Sequence, residues 1–337
     1  MRDEPTMNCH TKARGLARGE QRSLEVMLTP NSRGDVEFLS DGVTCRAWAY
    51  APAEPLQRAA PCIVMGHGLG GTRDASLEPY AERFARAGFH VLLFDYRYLG
   101  ASDGEPRQLI SIPRQLGDWA AAIDYARSLP GVDAARIALW GCSLSAGHVL
   151  MAAARDRRIA AISAQCPMFD GAASARLFVK TAGFRSGLRL TWTGVVDAVC
   201  SVLDKSPSYV PLVARPGELA AMASEDAYSG CLAIMPPGWR NEIAARFFLR
   251  MPFYRPVRHA AQVKCPALII ACMKDSVASA HAAREVAEHM GAKSRLIELP
   301  IGHFDVYLGQ WFERSSREQA AFFELALASR SISHPFD

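Results

Sequence analysis

Between residues 62 and 140, short unbroken apolar runs alternate with stretches of helical periodicity, and no other pattern in the chain restricts its fold as strongly. The runs are Cys62-Ile-Val-Met65, His90-Val-Leu-Leu-Phe94 and Ile137-Ala-Leu-Trp140, with helices expected around Leu77–Ala87 and Gln115–Ser128. A strand that is apolar at every position is buried on both faces, so helices must cover the sheet above and below, in parallel β-α-β crossovers. The rhythm resumes with strands at Ala267–Ala271 and Ser294–Leu299 and helices over Ala278–Met290 and Arg314–Ala328. Ahead of them all, "DVEFLSDGVTCRAWAYAP" alternates apolar and polar residues around Asp41-Gly42, which predicts an antiparallel hairpin.

From about 171 to 257 the strand signal vanishes, and amphipathic helices broken by Gly and Pro are expected instead. The organisation is therefore a mostly parallel central sheet flanked by helices, built from 26–170 and 258–330, with a helical insertion at 171–257 and a polar, flexible arm at 1–25. With 337 residues, half of them apolar, the chain can bury one large core. The 38 basic and 34 acidic residues form no long block of either sign, so neither a nucleic-acid groove nor a polybasic membrane patch is expected. No membrane insertion is expected either, because no run of ~18 apolar residues occurs. The N-terminal stretch lacks an apolar signal core, and the nine cysteines are scattered without a C-x-x-C pair. Both features fit a reduced, cytoplasmic protein. The expected partner is a small molecule, and an apolar face on the insertion could pair two copies as a homodimer.

The chemistry centres on "WGCSLSAGH", where a strand runs into a helix at Ser143. A nucleophile elbow needs small residues two positions before and after the serine, because the chain doubles back there; Gly141 and Ser145 both qualify. A serine hydroxyl also needs a base, an acid to orient that base, and N–H donors for the oxyanion. "IIACMKDSVAS" places Asp275 at the end of a later strand, and "LIELPIGHFDVY" places His303 in a loop after the next. Ser, Asp, His in that order, each at a strand end, completes the set. The glycines of "VMGHGLGGTRD" let backbone N–H groups approach a bound oxygen, so Leu69 and Leu144 are the expected oxyanion donors. Other polar residues receive structural readings. His67 shapes its own loop, His148 points away from Ser143, and Asp95 with Arg97 holds a loop by local hydrogen bonds. Asp305 lies too near His303 in sequence to orient it. His281 and His289 lack metal-ligand spacing, so neither a metal nor a cofactor is expected.

The segments "HGLGGTRD", "FDYRYLGASDGEP", "WGCSLSAGHVL", "CPALIIACMKDSVAS" and "GHFDVY" together resemble the α/β-hydrolase superfamily, most closely bacterial serine hydrolases and their fungal polyketide-transferase relatives. The resemblance spans about Pro61–Ala328 apart from the insertion, which corresponds to the family's lid. It implies an α/β-hydrolase fold and a Ser143-His303-Asp275 triad. Three departures stand out. Ser145-Ala146 replaces Gly-Gly and brings a hydroxyl beside the site, Tyr98 replaces Gly at the pocket rim, and the Cys142 thiol beside the nucleophile is open to oxidation.

The aromatic and apolar content of the insertion predicts an apolar pocket, with Trp192, Tyr228, Met235, Trp239 and Phe248 as candidate substrate contacts. The expected activity is cleavage of an ester or thioester with a hydrophobic part through an acyl-serine. The rival readings are an acyltransferase or thioesterase acting on a polyketide or fatty acyl chain, free or carrier-bound, a carbon–carbon bond hydrolase, and a noncatalytic binding protein.

Overall fold

Asp41 and Gly42 both adopt positive φ, 47° and 79°, the two-residue turn whose twist matches the strands it joins. That turn closes β1 (Arg33–Ser40) against β2 (Val43–Tyr50). The computed structural model describes residues 32–54 and 58–328; the arm assigned to 1–25 lies outside them. Thereafter strands and helices alternate as β3 (Ala60–Gly66), α1 (Glu78–Arg86), β4 (His90–Phe94), α2 (Ile112–Ser128), β5 (Val132–Cys142), α3 (Leu144–Arg155) and β6 (Ile159–Gln165). The insertion follows with α4 (Gly171–Ala182), α5 (Phe184–Val202), β7 (Tyr209–Val210), α6 (Glu225–Ile234), β8 (Ile243–Ala244) and α7 (Phe247–Arg250). The core then closes with β9 (Ala267–Cys272), α8 (Ala280–Met290), β10 (Ser294–Leu299) and α9 (Gly309–Ala328).

The eight-stranded sheet runs β1-β2-β4-β3-β5-β6-β9-β10, antiparallel only at the β1-β2 and β2-β4 pairings. Every residue of β3, β6 and β9 is buried, as expected of strands covered on both faces. Helices α1 and α9 pack on one side of the sheet, and α2, α3 and α8 on the other. From β3 the chain crosses to β4 on one side; from β5 it crosses to β6 on the other. The loops after β3 and β5 therefore diverge and leave a crevice between them at the carboxyl edge.

The structure departs from the sequence pattern at β6, at α2 and in the insertion. β6, "IAAISAQ", carries no strand signal because alanine has little strand preference; its burial between β5 and β9 overrides that. α2 starts three residues before the expected Gln115, with Pro113 in the first turn, where a missing N–H costs nothing. The insertion is not wholly helical, since β7 and β8 form a short antiparallel ribbon.

One buried charge fixes the loop after β4. Arg97 Nε donates to Asp118 Oδ1 on α2 at 2.7 Å, and Nη2 to Ser40 Oγ at 2.6 Å. These partners lie far along the chain, so the expectation of local bonding is wrong for Arg97. Both ends of the Arg97–Asp118 pair are almost fully buried. Asp118→Ala should therefore lower unfolding stability by about 2 kcal/mol, measured by urea denaturation, because the buried guanidinium loses its Nε partner and keeps only Ser40 and the exposed Asp41 carboxylate at 3.1 Å.

Candidate active site

Ser143 sits between β5 and α3 with φ 54° and ψ −120°, a conformation that non-glycine residues adopt only when their surroundings enforce it. The enforcement is visible. Ser143 N–H donates to Gln165 O on β6 at 2.9 Å, and Ser143 O accepts from Met168 N–H at 3.0 Å and Ala146 N–H at 3.1 Å. A Cβ on Gly141 would stand 2.4 Å from the Ser145 carbonyl oxygen, so only glycine allows the chain to double back here. Ser145, expected to present its hydroxyl beside the site, instead turns into the core. There its Oγ meets Tyr96 Oη at 2.5 Å, and Tyr96 Oη in turn accepts from Trp119 Nε1 at 2.8 Å.

The loops after β9 and β10 are clamped side by side, with Met273 N–H on Leu299 O at 2.8 Å and Lys274 N–H on Ile301 O at 2.9 Å. This clamp brings Asp275 to His303. His303 Nδ1 lies 2.6 Å from Asp275 Oδ2, and His303 Nε2 lies 3.1 Å from Ser143 Oγ. Asp275 Oδ1 accepts the backbone N–H groups of Val277 and Ala278, each at 2.7 Å, which leaves Oδ2 for the imidazole. With Nδ1–H donated to the carboxylate, Nε2 is the ring nitrogen free to accept from the serine hydroxyl. Burial pulls the His303 imidazole down, but the Asp275 charge more than offsets it and holds the ring well above its ordinary value of 6.5. Asp305, as expected, serves only its own loop by accepting Gly302 N–H at 2.8 Å.

The loop after β3 passes directly over the serine. A Cβ on Gly68 would lie 3.0 Å from Ser143 Cβ, which explains the glycine. Gly68 O accepts Gly71 N–H at 3.3 Å, closing a turn with Leu69 and Gly70 at its centre and Gly70 at φ 61°. Leu69 and Leu144 both line the cavity with Ser143, and Leu144, at the start of α3, has an N–H with no intrahelical acceptor. His67 is buried with Nδ1 2.9 Å from Gly68 O, and burial lowers its pKa, in keeping with a loop-shaping role. Asp95 accepts Ala101 N–H at 3.0 Å within its own loop and, beyond the local bonding expected, Arg73 N–H at 2.7 Å, and so joins two loops. His148 is held by Tyr254 Oη at 2.7 Å and Gln115 Oε1 at 3.0 Å, and burial pushes it down to about 3.

Ser143 and His303 open on a cavity of about 340 Å³ whose wall, among the described residues, carries no Asp, Glu, Lys or Arg. Met235 and Phe248 line it. Trp192, Tyr228 and Trp239 do not: Trp192 faces solvent, Tyr228 stacks under Arg215, and Trp239 Nε1 donates to Gly70 O at 2.8 Å. Phe178, Leu190, Phe247 and Met251 of the insertion, together with Tyr307, take their place. Their spacing offered no signal, since an apolar helix residue facing a cavity looks like one facing a core. Tyr98 is also absent from the cavity wall; it packs with Leu109 and Ala244 beneath the insertion. Cys142 does line the cavity, but burial pushes its thiol far up, so the reactive thiolate is disfavoured. The eight described cysteines are all unbridged.

Comparisons with known proteins agree with this architecture. The model of the X-Pro dipeptidyl-peptidase (S15) family matches residues 41–311. The quorum-quenching protein AidA of Acinetobacter baumannii is 43% identical over 295 residues, covering 87% of this chain and 95% of that protein. The thiohydrolase aneE of Aspergillus aculeatus is 36% identical over 137 residues, 40% of this chain and 42% of its own. The crystal structure of the α/β-hydrolase GrgF from Penicillium superposes with a TM-score of 0.75 at 26% identity, over 88% of this chain and 99% of that one. With the family match spanning most of the chain and the fold shared with solved relatives, this protein belongs to the S15 peptidase family of the α/β-hydrolase superfamily.

Proposed function

We propose that this hydrolase cleaves an ester or thioester with a hydrophobic part through an acyl-enzyme on Ser143. The observation that carries the reading is the hydrogen-bonded chain from Asp275 through His303 to Ser143, opening on an apolar cavity. His303 Nε2 takes the hydroxyl proton as Ser143 Oγ attacks the acyl carbonyl, then returns it to the departing alcohol or thiol. Asp275 orients the ring and balances the imidazolium. The Leu69 and Leu144 N–H groups hold the oxyanion. Water, activated by the same imidazole, then releases the acid.

The cavity wall argues for a neutral, lipophilic substrate and against the dipeptidyl cleavage for which the family is named. A peptide's terminal ammonium needs a carboxylate partner, and among the described residues no acidic side chain lines the cavity. The insertion acts as the lid over this pocket, and Met235 and Phe248 are substrate contacts. A second reading, transfer of the acyl group to an alcohol or thiol acceptor, is favoured by a polyketide transferase and a thiohydrolase among the relatives. Quorum quenching by the bacterial relative adds quorum signals to the substrates worth screening.

Incubation with a fluorophosphonate should add one adduct to the intact mass of the wild type and none to Ser143→Ala; an unmodified wild type would refute the acyl-enzyme reading. Because the neutral imidazole is the base and its pKa is raised, kcat/KM for a chromogenic ester should fall as pH drops, with an acid limb above pH 6.5. Trp239→Phe removes the brace on the Gly70 carbonyl without touching the pocket. It should lower kcat about tenfold, part of what losing a direct oxyanion donor costs, with KM little changed in steady-state kinetics.

A further inference from the structure

Helix α5 wears its apolar face outward. It buries only a narrow strip, Leu190, Gly194 and Asp197, with Gly194 against Ala245 and Leu249 and with Asp197 paired to Arg246 at 2.8 Å. On the opposite face Phe184 is 72% exposed, Trp192 67% and Val202 83%, and Leu188 and Val199 fill the turns between them. A surface helix in water normally turns its charged face out. A contiguous apolar stripe of this length marks a surface that something else covers.

Three observations identify the cover. Phe184 and Leu188 line the cavity as well as the outer stripe, so the stripe runs into the passage to Ser143. Across α4 and α5, Arg176, Lys180, Arg185 and Arg189 are exposed, and from Gly171 to Val196 the sequence holds no acid. The hydroxyls of Thr181, Thr191 and Thr193 donate back to the carbonyls of Leu177, Gly187 and Arg189 at 2.9–3.0 Å, so these side chains need no water.

We propose that the α4–α5 face seats on an anionic lipid bilayer. The stripe enters the headgroup and acyl boundary, the four cations pair with headgroup phosphates, and the cavity mouth opens onto the membrane. A second copy fits less well, because it would bring the same uncompensated cations into one interface. Adsorption is the mode, since among the described residues no helix is long and apolar enough to cross a membrane. The proposal concerns where the cavity opens and stands apart from the reaction it encloses.

The test is co-sedimentation of the full chain with vesicles of phosphatidylcholine alone and of phosphatidylcholine mixed with phosphatidylglycerol. The wild type should pellet with the mixed vesicles and be released by high salt. The double variant Arg185→Glu, Arg189→Glu should bind the mixed vesicles at least about tenfold more weakly. Val199→Asp, at an outward position beyond the cavity, should also lose binding while melting at the wild-type temperature. The proposal is overturned if the wild type stays in the supernatant with mixed vesicles, or if binding ignores lipid charge. It is equally overturned if sedimentation velocity finds a dimer that Val199→Asp dissociates, since a second copy would then be the cover.

Discussion

The left-handed backbone of Ser143 is the constraint on which the site depends. A residue in such a conformation costs of order 1–3 kcal/mol and persists only where its neighbours over-determine it. Here the neighbours are the sheet itself. β6 supplies the Gln165 carbonyl, the segment after β6 supplies the Met168 N–H, and the first turn of α3 closes onto Gly141. His303 and Asp275 ride on β10 and β9, which follow β6 in the same sheet. The distances between the three side chains are therefore set by strand register, and a shift of β6 would move Ser143 and His303 relative to each other.

This dependence explains which parts were legible in the sequence. Ser143, Asp275 and His303 could be read because each stands at the end of an apolar run, and the chain order of those runs maps onto the carboxyl edge of one sheet. β6 was not legible, although Ser143 leans on it, because its alanines owe their strand state to β5 and β9 on either side. The pocket was legible as apolar but not residue by residue. Trp239 and Tyr228 look like pocket aromatics in sequence; one hydrogen-bonds to the Gly70 carbonyl and the other lies under an arginine. Likewise the charge balance of the whole chain hid the cations of α4 and α5, because their compensation lies elsewhere on the molecule.

Tyr98 shows how the core pays for carrying the insertion. It holds φ 73° at a position suited to glycine, and a Cβ on Gly104 would strike its ring at 2.6 Å. What it gains is a packed contact with Leu109, Tyr209 and Ala244, so the β7–β8 ribbon rests on an aromatic ring where a glycine would leave a gap. Gln108 extends the same seam: its Nε2 donates to Glu242 O at 2.9 Å, and its backbone O accepts Ala244 N–H at 2.9 Å. Tyr98 thus belongs to the junction between core and insertion.

That junction also bears on how a substrate enters. At the base of the insertion, Trp239 is bonded to Gly70, Asn241 bonds both ways to Val213 at 2.9 Å, and Asp197 takes both ends of the Arg246 guanidinium. Swinging this base away from the core would break the Trp239 bond to the turn that carries Leu69. Among the described residues nothing comparable ties down the outer faces of α4 and α5, where Thr hydroxyls bond within their own helices and apolar side chains meet solvent. Motion is therefore cheapest at the tip, around Phe184 and Leu188, which already border the cavity. Access through the tip with a fixed base leaves the Gly68–Gly71 turn and its bond to Trp239 undisturbed.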